Sequence, residues 1–136
     1  MDKIIVWYLR MSVFYFAAGA LLGTGMLLWP EDAGYYIPAH VHLNLLGFMS
    51  MMIYGVGYHI LPRFSGVHIY SPAIVTIQFW LANAGLLIMA ISWPFHEMQI
   101  ALSLVRPLLV FSALLSLIAV VLFTYNMLKT IKPMDK

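Results

Sequence analysis

Pro38-Ala39-His40-Val41-His42-Leu43-Asn44-Leu45-Leu46-Gly47-Phe48-Met49-Ser50-Met51-Met52-Ile53-Tyr54-Gly55-Val56-Gly57-Tyr58-His59-Ile60-Leu61 contains no lysine, arginine, aspartate or glutamate. A helix needs about 20 predominantly apolar residues to cross a bilayer core, and this stretch has that length. Within lipid every backbone polar group must be bonded inside its own segment, so the run is predicted to be a membrane helix. At its head stand two imidazoles and an amide, His40, His42 and Asn44. Ionisable groups in a lipid-embedded segment are expensive and mark functional sites. Histidine is the commonest metal ligand, and a neutral imidazole between apolar walls is what a buried haem iron takes. The stretch therefore predicts a haem-binding membrane helix.

The rest of the chain fits a membrane setting. Of its 136 residues 63% are hydrophobic and 9% charged, against about 25% charged in a soluble domain. Three more apolar runs of spanning length flank the first, so the spans fall at about 6–29, 38–61, 71–93 and 102–128. The breaks carry turn chemistry: Trp29-Pro30-Glu31-Asp32-Ala33-Gly34, Pro62-Arg63-Phe64-Ser65-Gly66 and Trp93-Pro94-Phe95-His96-Glu97. Short connections make neighbouring spans antiparallel. The expectation is an all-α, integral membrane four-helix bundle, residues 1–136 forming one domain. There is no cysteine, which excludes disulfides, thiolate zinc sites, iron–sulfur clusters and c-type haem attachment. A net charge of +2, scattered along the chain, excludes a nucleic-acid partner.

Orientation follows from the basic residues. With the N-terminus inside, Lys3, Arg10, Arg63, Lys129, Lys132 and Lys136 fall on the inner side, and Arg106 alone falls on the outer, with Glu31, Asp32 and Glu97. This predicts a multi-pass protein of the cell's inner (cytoplasmic) membrane with both termini cytoplasmic. Trp7, Tyr8, Trp29, Tyr35, Tyr36, Trp93 and Tyr125 lie near span ends, as an aromatic belt requires. Arg10 inside a long apolar run makes the first span a retained helix rather than a signal peptide.

His40, His42 and His96 belong to the outer end on this topology; His59 and His68 belong to the inner end. At 1.5 Å per residue, His42 and His59 are roughly 25 Å apart along the helix and cannot share a metal. His40 and His42 point about 200° apart around it, which argues against a compact zinc site at i,i+4 spacing. His42, a turn into the membrane, is the candidate haem ligand. His40 is a second candidate, or faces another interface. His96, placed by its surroundings in a polar loop, is a candidate second axial ligand or propionate contact. Asn44 can hydrogen-bond across helices or to a haem edge. Arg106 suits haem carboxylates, or snorkels to headgroups. Gly47, Gly55, Gly57 and Ser50 give the second span a small-residue face that permits close helix approach or leaves room for a flat macrocycle.

His42-Leu43-Asn44, Tyr58-His59-Ile60-Leu61-Pro62-Arg63, Gly66, Ile69-Tyr70-Ser71 and Phe79-Trp80-Leu81 agree in order and spacing with a pattern in the catalytic subunit of the haem–copper oxidase superfamily. Over His40 to Gly85 the chain resembles especially the cbb3-type oxidase and nitric oxide reductase branches. The resemblance implies that His42-Leu43-Asn44 matches the His-x-Asn that ligates the low-spin haem of those subunits. The His-x-His head is also similar to another haem-and-copper membrane family linked to nitric oxide stress. Members of the superfamily have about twelve helices in three four-helix arcs, and this chain has the spans for one. It lacks the second histidine cluster that matches the copper ligands, so it is not an oxygen reductase on its own. Three copies related by cyclic symmetry would reproduce the larger outline, which makes a homotrimer the expected assembly.

The leading expectation is a haem b protein for electron transfer or for binding a diatomic gas such as nitric oxide or dioxygen, served by a redox partner. The alternatives are a copper-binding membrane protein using His40, His42 and His96, and an accessory subunit of a respiratory complex. The four spans hold no carboxylate, so no proton relay of the kind used by pumps is evident.

Overall fold

A computed structural model describes residues 2–131. Lys132 and Lys136, assigned above to the inner side, lie outside the described residues. Five helical elements and one π-helical segment make four helices long and apolar enough to cross a membrane, and no strand occurs among the described residues. Helix α1 covers Lys3–Leu28. The second span joins α2 (Ala33–His42), a π-helical segment (Leu43–Ser50) and α3 (Met51–Phe64) end to end. Helices α4 (Pro72–Glu97) and α5 (Leu102–Thr130) complete the chain.

Three boundaries differ from expectation, each at a proline. The second span begins at Ala33, with Pro38 inside it, and runs on through Pro62 to Phe64, and the third continues through Pro94 to Glu97. Proline removes one backbone donor and with it one ladder bond, and each of these helices runs on past that gap. At α4 the last turn is held by other means. Trp93 Nε1 donates to Glu97 Oε1 at 3.0 Å, and the Met98 amide closes onto the Pro94 carbonyl at 2.9 Å. His96 consequently lies on the last turn of α4 and not in a loop.

The spans form an open arc. Helix α1 packs along the second span, the second span packs on α4, and α5 packs along α4; among the described residues α1 and α5 do not meet. In lipid, helix association rests on close packing and interhelical hydrogen bonds, because the acyl chains are as apolar as leucine. Both are visible. Of the small residues of the second span, Gly47 and Gly55 are closed by α1 and Gly57 by Phe123 of α5: a methyl on Gly47 would stand 2.7 Å from Tyr15 Cβ. Close helix approach is thus the use made of that face.

Three tyrosines tie the arc together. Tyr8 donates to the Val75 carbonyl (2.9 Å), Tyr15 to Asn83 Oδ1 (2.7 Å) and Tyr58 to Gln78 Oε1 (2.7 Å). The rings of Tyr8 and Tyr58 sit among Tyr54, Phe79 and Phe123, with Tyr8 edge-on to Phe79 at 5.0 Å. Helix α5 is fastened separately. Asn126, fully buried, accepts from the Ser71 amide and donates to the Ser71 carbonyl, both at 3.0 Å. One turn on, Thr130 Oγ1 accepts from the Tyr70 amide at 3.0 Å. The end of α5 thereby clasps the residues that lead into α4, where Ser71 Oγ caps the Ile74 amide.

Candidate functional site

His40 and His42 leave α2 in different directions, as their spacing predicts. The His40 ring turns to α1. Its Nδ1 is 2.9 Å from the Gly19 carbonyl, and a methyl on Gly23 would stand 2.8 Å from the ring. A carbonyl only accepts, so Nδ1 carries the proton and Nε2 presents its lone pair. Asn44 Nδ2 lies 3.4 Å from that Nε2 and donates to the His40 carbonyl at 2.8 Å. Asn44 itself fills the space left by Gly19. His40 and Asn44 therefore form a joint between α1 and α2, fitted to two glycines one turn apart.

His42 turns to α4. Its Nδ1 is 2.7 Å from the Pro38 carbonyl, so Nδ1 again holds the proton and the lone pair sits on Nε2. The ring stacks on Trp93, with centroids 5.0 Å apart and planes 27° from parallel. An imidazole whose Nδ1–H is held by a carbonyl is fixed in tautomer and ring orientation, and its Nε2 is made more basic. That is the preparation a metal-ligating histidine requires.

The stack leads on to His96. Trp93 bonds Glu97, and His96 Nδ1 stands 3.5 Å from the same Glu97 oxygen without making a hydrogen bond. This Nδ1 is buried and lacks a partner among the described residues. A buried polar atom without a partner is destabilising by about 1–3 kcal/mol, so a group that completes it would stabilise this corner. Arg106, on the first turns of α5, is exposed and makes no ion pair among the described residues.

An apolar cavity of about 360 Å³ lies between α1, α2 and the end of α4, and none of His40, His42 and His96 lines it. It is lined by Leu22, Tyr36, Leu43, Ile91, Phe95 and Met98, among others. The structure thus brings His42 and His96 to one corner through Trp93 and Glu97, and sends His40 and Asn44 to another. Among the described residues no three His, Asp or Glu side chains gather where they could hold a metal ion. Trp93, Glu97 and the Pro38 carbonyl escape sequence reasoning. Trp93 is accounted for there as a belt residue, although its spacing of four from Glu97 on a continuous helix was a usable sign.

No family model matches the chain, and no curated protein matches it in sequence.

Proposed function

We propose that the chain is a haem b-binding membrane protein, with His42 as axial ligand, acting in electron transfer or in binding a diatomic gas. The observation that carries this reading is the His42 Nδ1–H bond to the Pro38 carbonyl, which leaves Nε2 as the ligating atom. Haem supplies four nitrogens of its own and needs only one or two from protein. The copper alternative would draw further imidazoles from another copy or loop, because His40 and His42 diverge. His96, whose buried Nδ1 has no partner among the described residues, and the exposed Arg106 would hold the propionates. When bound, the haem supplies a one-electron redox centre, or an open iron position for a gas. The protein's part is to orient the imidazole, to stack Trp93 on it and to keep water from it.

The resemblance to the haem–copper oxidase superfamily belongs to the same proposal, as does the homotrimer. The open arc leaves α1 and α5 as free edges, and three arcs joined at such edges close a ring. Oxidised and dithionite-reduced spectra of the detergent-purified protein, taken with and without carbon monoxide, test the haem. Sharp reduced bands that ignore carbon monoxide identify a six-coordinate electron carrier, and shifted bands identify an open, gas-binding iron. Absence of haem bands after expression with added haem refutes the proposal. Light scattering on the same sample should give three chains per particle; a haem-loaded monomer removes the trimer.

Both termini are proposed to face the cytoplasm, because Lys3, Arg10, Arg63 and Lys129 share the end opposite Glu31, Asp32 and Glu97. A periplasmic-only reporter enzyme fused after Lys136 should be inactive, and the same reporter fused at Gln99 active. The reverse pattern overturns the orientation.

A further inference from the structure

At the end of the bundle opposite His42, the start of α1 meets the turn between α3 and α4. A cavity of about 420 Å³ opens there. Its polar lining is Arg63, His59, His68 and Asp2, and its floor includes Ile5 and Tyr58. Arg63 lies against the His59 ring and donates to it. No carboxylate forms an ion pair with Arg63 among the described residues. A guanidinium presents five donors in a fixed fork, so the bond to His59 leaves most of them open to the cavity. The floor is apolar and the end as a whole is basic, with Lys3, Arg10 and Lys129 joining Arg63.

A guanidinium with no ion pair among the described residues and two imidazoles above an apolar floor, at the level where a helix bundle leaves the bilayer, match one ligand chemistry. It is a phosphate anion, and the floor suits one that carries acyl chains. We propose that this cavity is a binding site for a phosphate group, with Arg63 and His68 as its main contacts and His59 orienting Arg63. The site is independent of the haem proposal and lies at the other end of the molecule. Asp2 on the rim opposes the anion, which limits the affinity and supplies a control.

Native mass spectrometry of the full chain released from nanodiscs tests the site, with phosphatidylglycerol and phosphatidylcholine as probes. Inorganic phosphate is added alone in a second series. Wild type is expected to retain phosphatidylglycerol over phosphatidylcholine. Arg63→Gln should lower that retention about fivefold, the factor expected for one basic group near the headgroup, and His68→Asn should lower it less. Asp2→Asn should raise retention, a gain that misfolding cannot produce. Retention of phosphatidylglycerol unaffected by inorganic phosphate identifies a lipid headgroup as ligand. Binding of inorganic phosphate alone, abolished by Arg63→Gln, identifies a free anion. Equal retention of both lipids together with no phosphate binding, or retention indifferent to Arg63, overturns the proposal.

Discussion

Replacing His42 by alanine should leave the protein folded and without haem. The substitution removes the proposed ligand, the imidazole at the α2–α4 corner whose Nδ1–H is held by a backbone carbonyl within its own helix; His96, at the same corner, has no such bond to fix its ring. Haem content, read from the Soret band per chain, is expected to fall more than roughly tenfold, at least about 1.4 kcal/mol in binding. His40→Ala is the comparison that gives the result its meaning. It deletes a ring bonded to Gly19 and packed on Gly23, so it should loosen α1 against α2, lower the melting temperature and leave the spectrum of the remaining folded protein unchanged. Added imidazole should restore the spectrum of His42→Gly and do nothing for His40→Gly. A full haem complement in His42→Ala would remove His42 as ligand, and loss of haem in His40→Ala alone would transfer the role to His40.

The second large effect is expected at Asn126. Its side chain bonds both the amide and the carbonyl of Ser71, and leucine at this position leaves both groups without their partner. Each orphaned group destabilises by about 1–3 kcal/mol when buried. Interhelical bonds in membrane proteins average nearer 0.6 kcal/mol, because alternative partners are found. Ser71 is half-buried near the helix end, where water reaches it, so the lower end applies to each bond. Together they amount to about 2 kcal/mol. Asn126→Leu should therefore lower the unfolding free energy in detergent by about 2 kcal/mol, while Asn126→Asp, which sets a buried, acceptor-only carboxylate against the Ser71 carbonyl, should lose at least as much. Thr124→Leu, on an exposed face of the same helix, serves as control and should change nothing. Equal stability of Asn126→Leu and wild type would show that α5 is held by its packing alone.

The four spans could be read from the chain because lipid imposes a length and forbids charge, and both are properties of composition. Helix ends were harder. Pro62 and Pro94 read as breaks and Pro38 as a span's first residue, yet the helix runs through all three. His96 moved from loop to helix for that reason alone. At the site, the divergence of His40 and His42 followed from helical geometry, and the structure keeps it. Their partners did not follow. The Pro38 carbonyl is four residues before His42 on the same predicted helix, but which way the ring turns is a matter of rotamer and packing that the sequence does not carry. Trp93 needed no partner to be explained as an interfacial aromatic, so its stack on His42 went unseen. The clasp by Asn126 and Thr130 spans more than 50 residues of sequence and leaves no local trace. The π-helical segment has none either: Leu43-Asn44-Leu45-Leu46-Gly47-Phe48-Met49-Ser50 is as apolar as its neighbours.

That segment has a mechanical meaning. A stretch bonded i to i+5, as Ser50 Oγ on the Leu45 carbonyl also is, carries more residues per turn than the α-helix on either side of it. The two ends of one continuous rod thus acquire different rotational phases, much as two gears keyed to one shaft with an offset. One phase sets where His42 meets Trp93; the other sets where Tyr54, Gly55 and Tyr58 meet α1. Removing a single residue between Leu43 and Ser50 would turn one gear by about 100° against the other, and the chain would have to give up either its candidate metal ligand or its core.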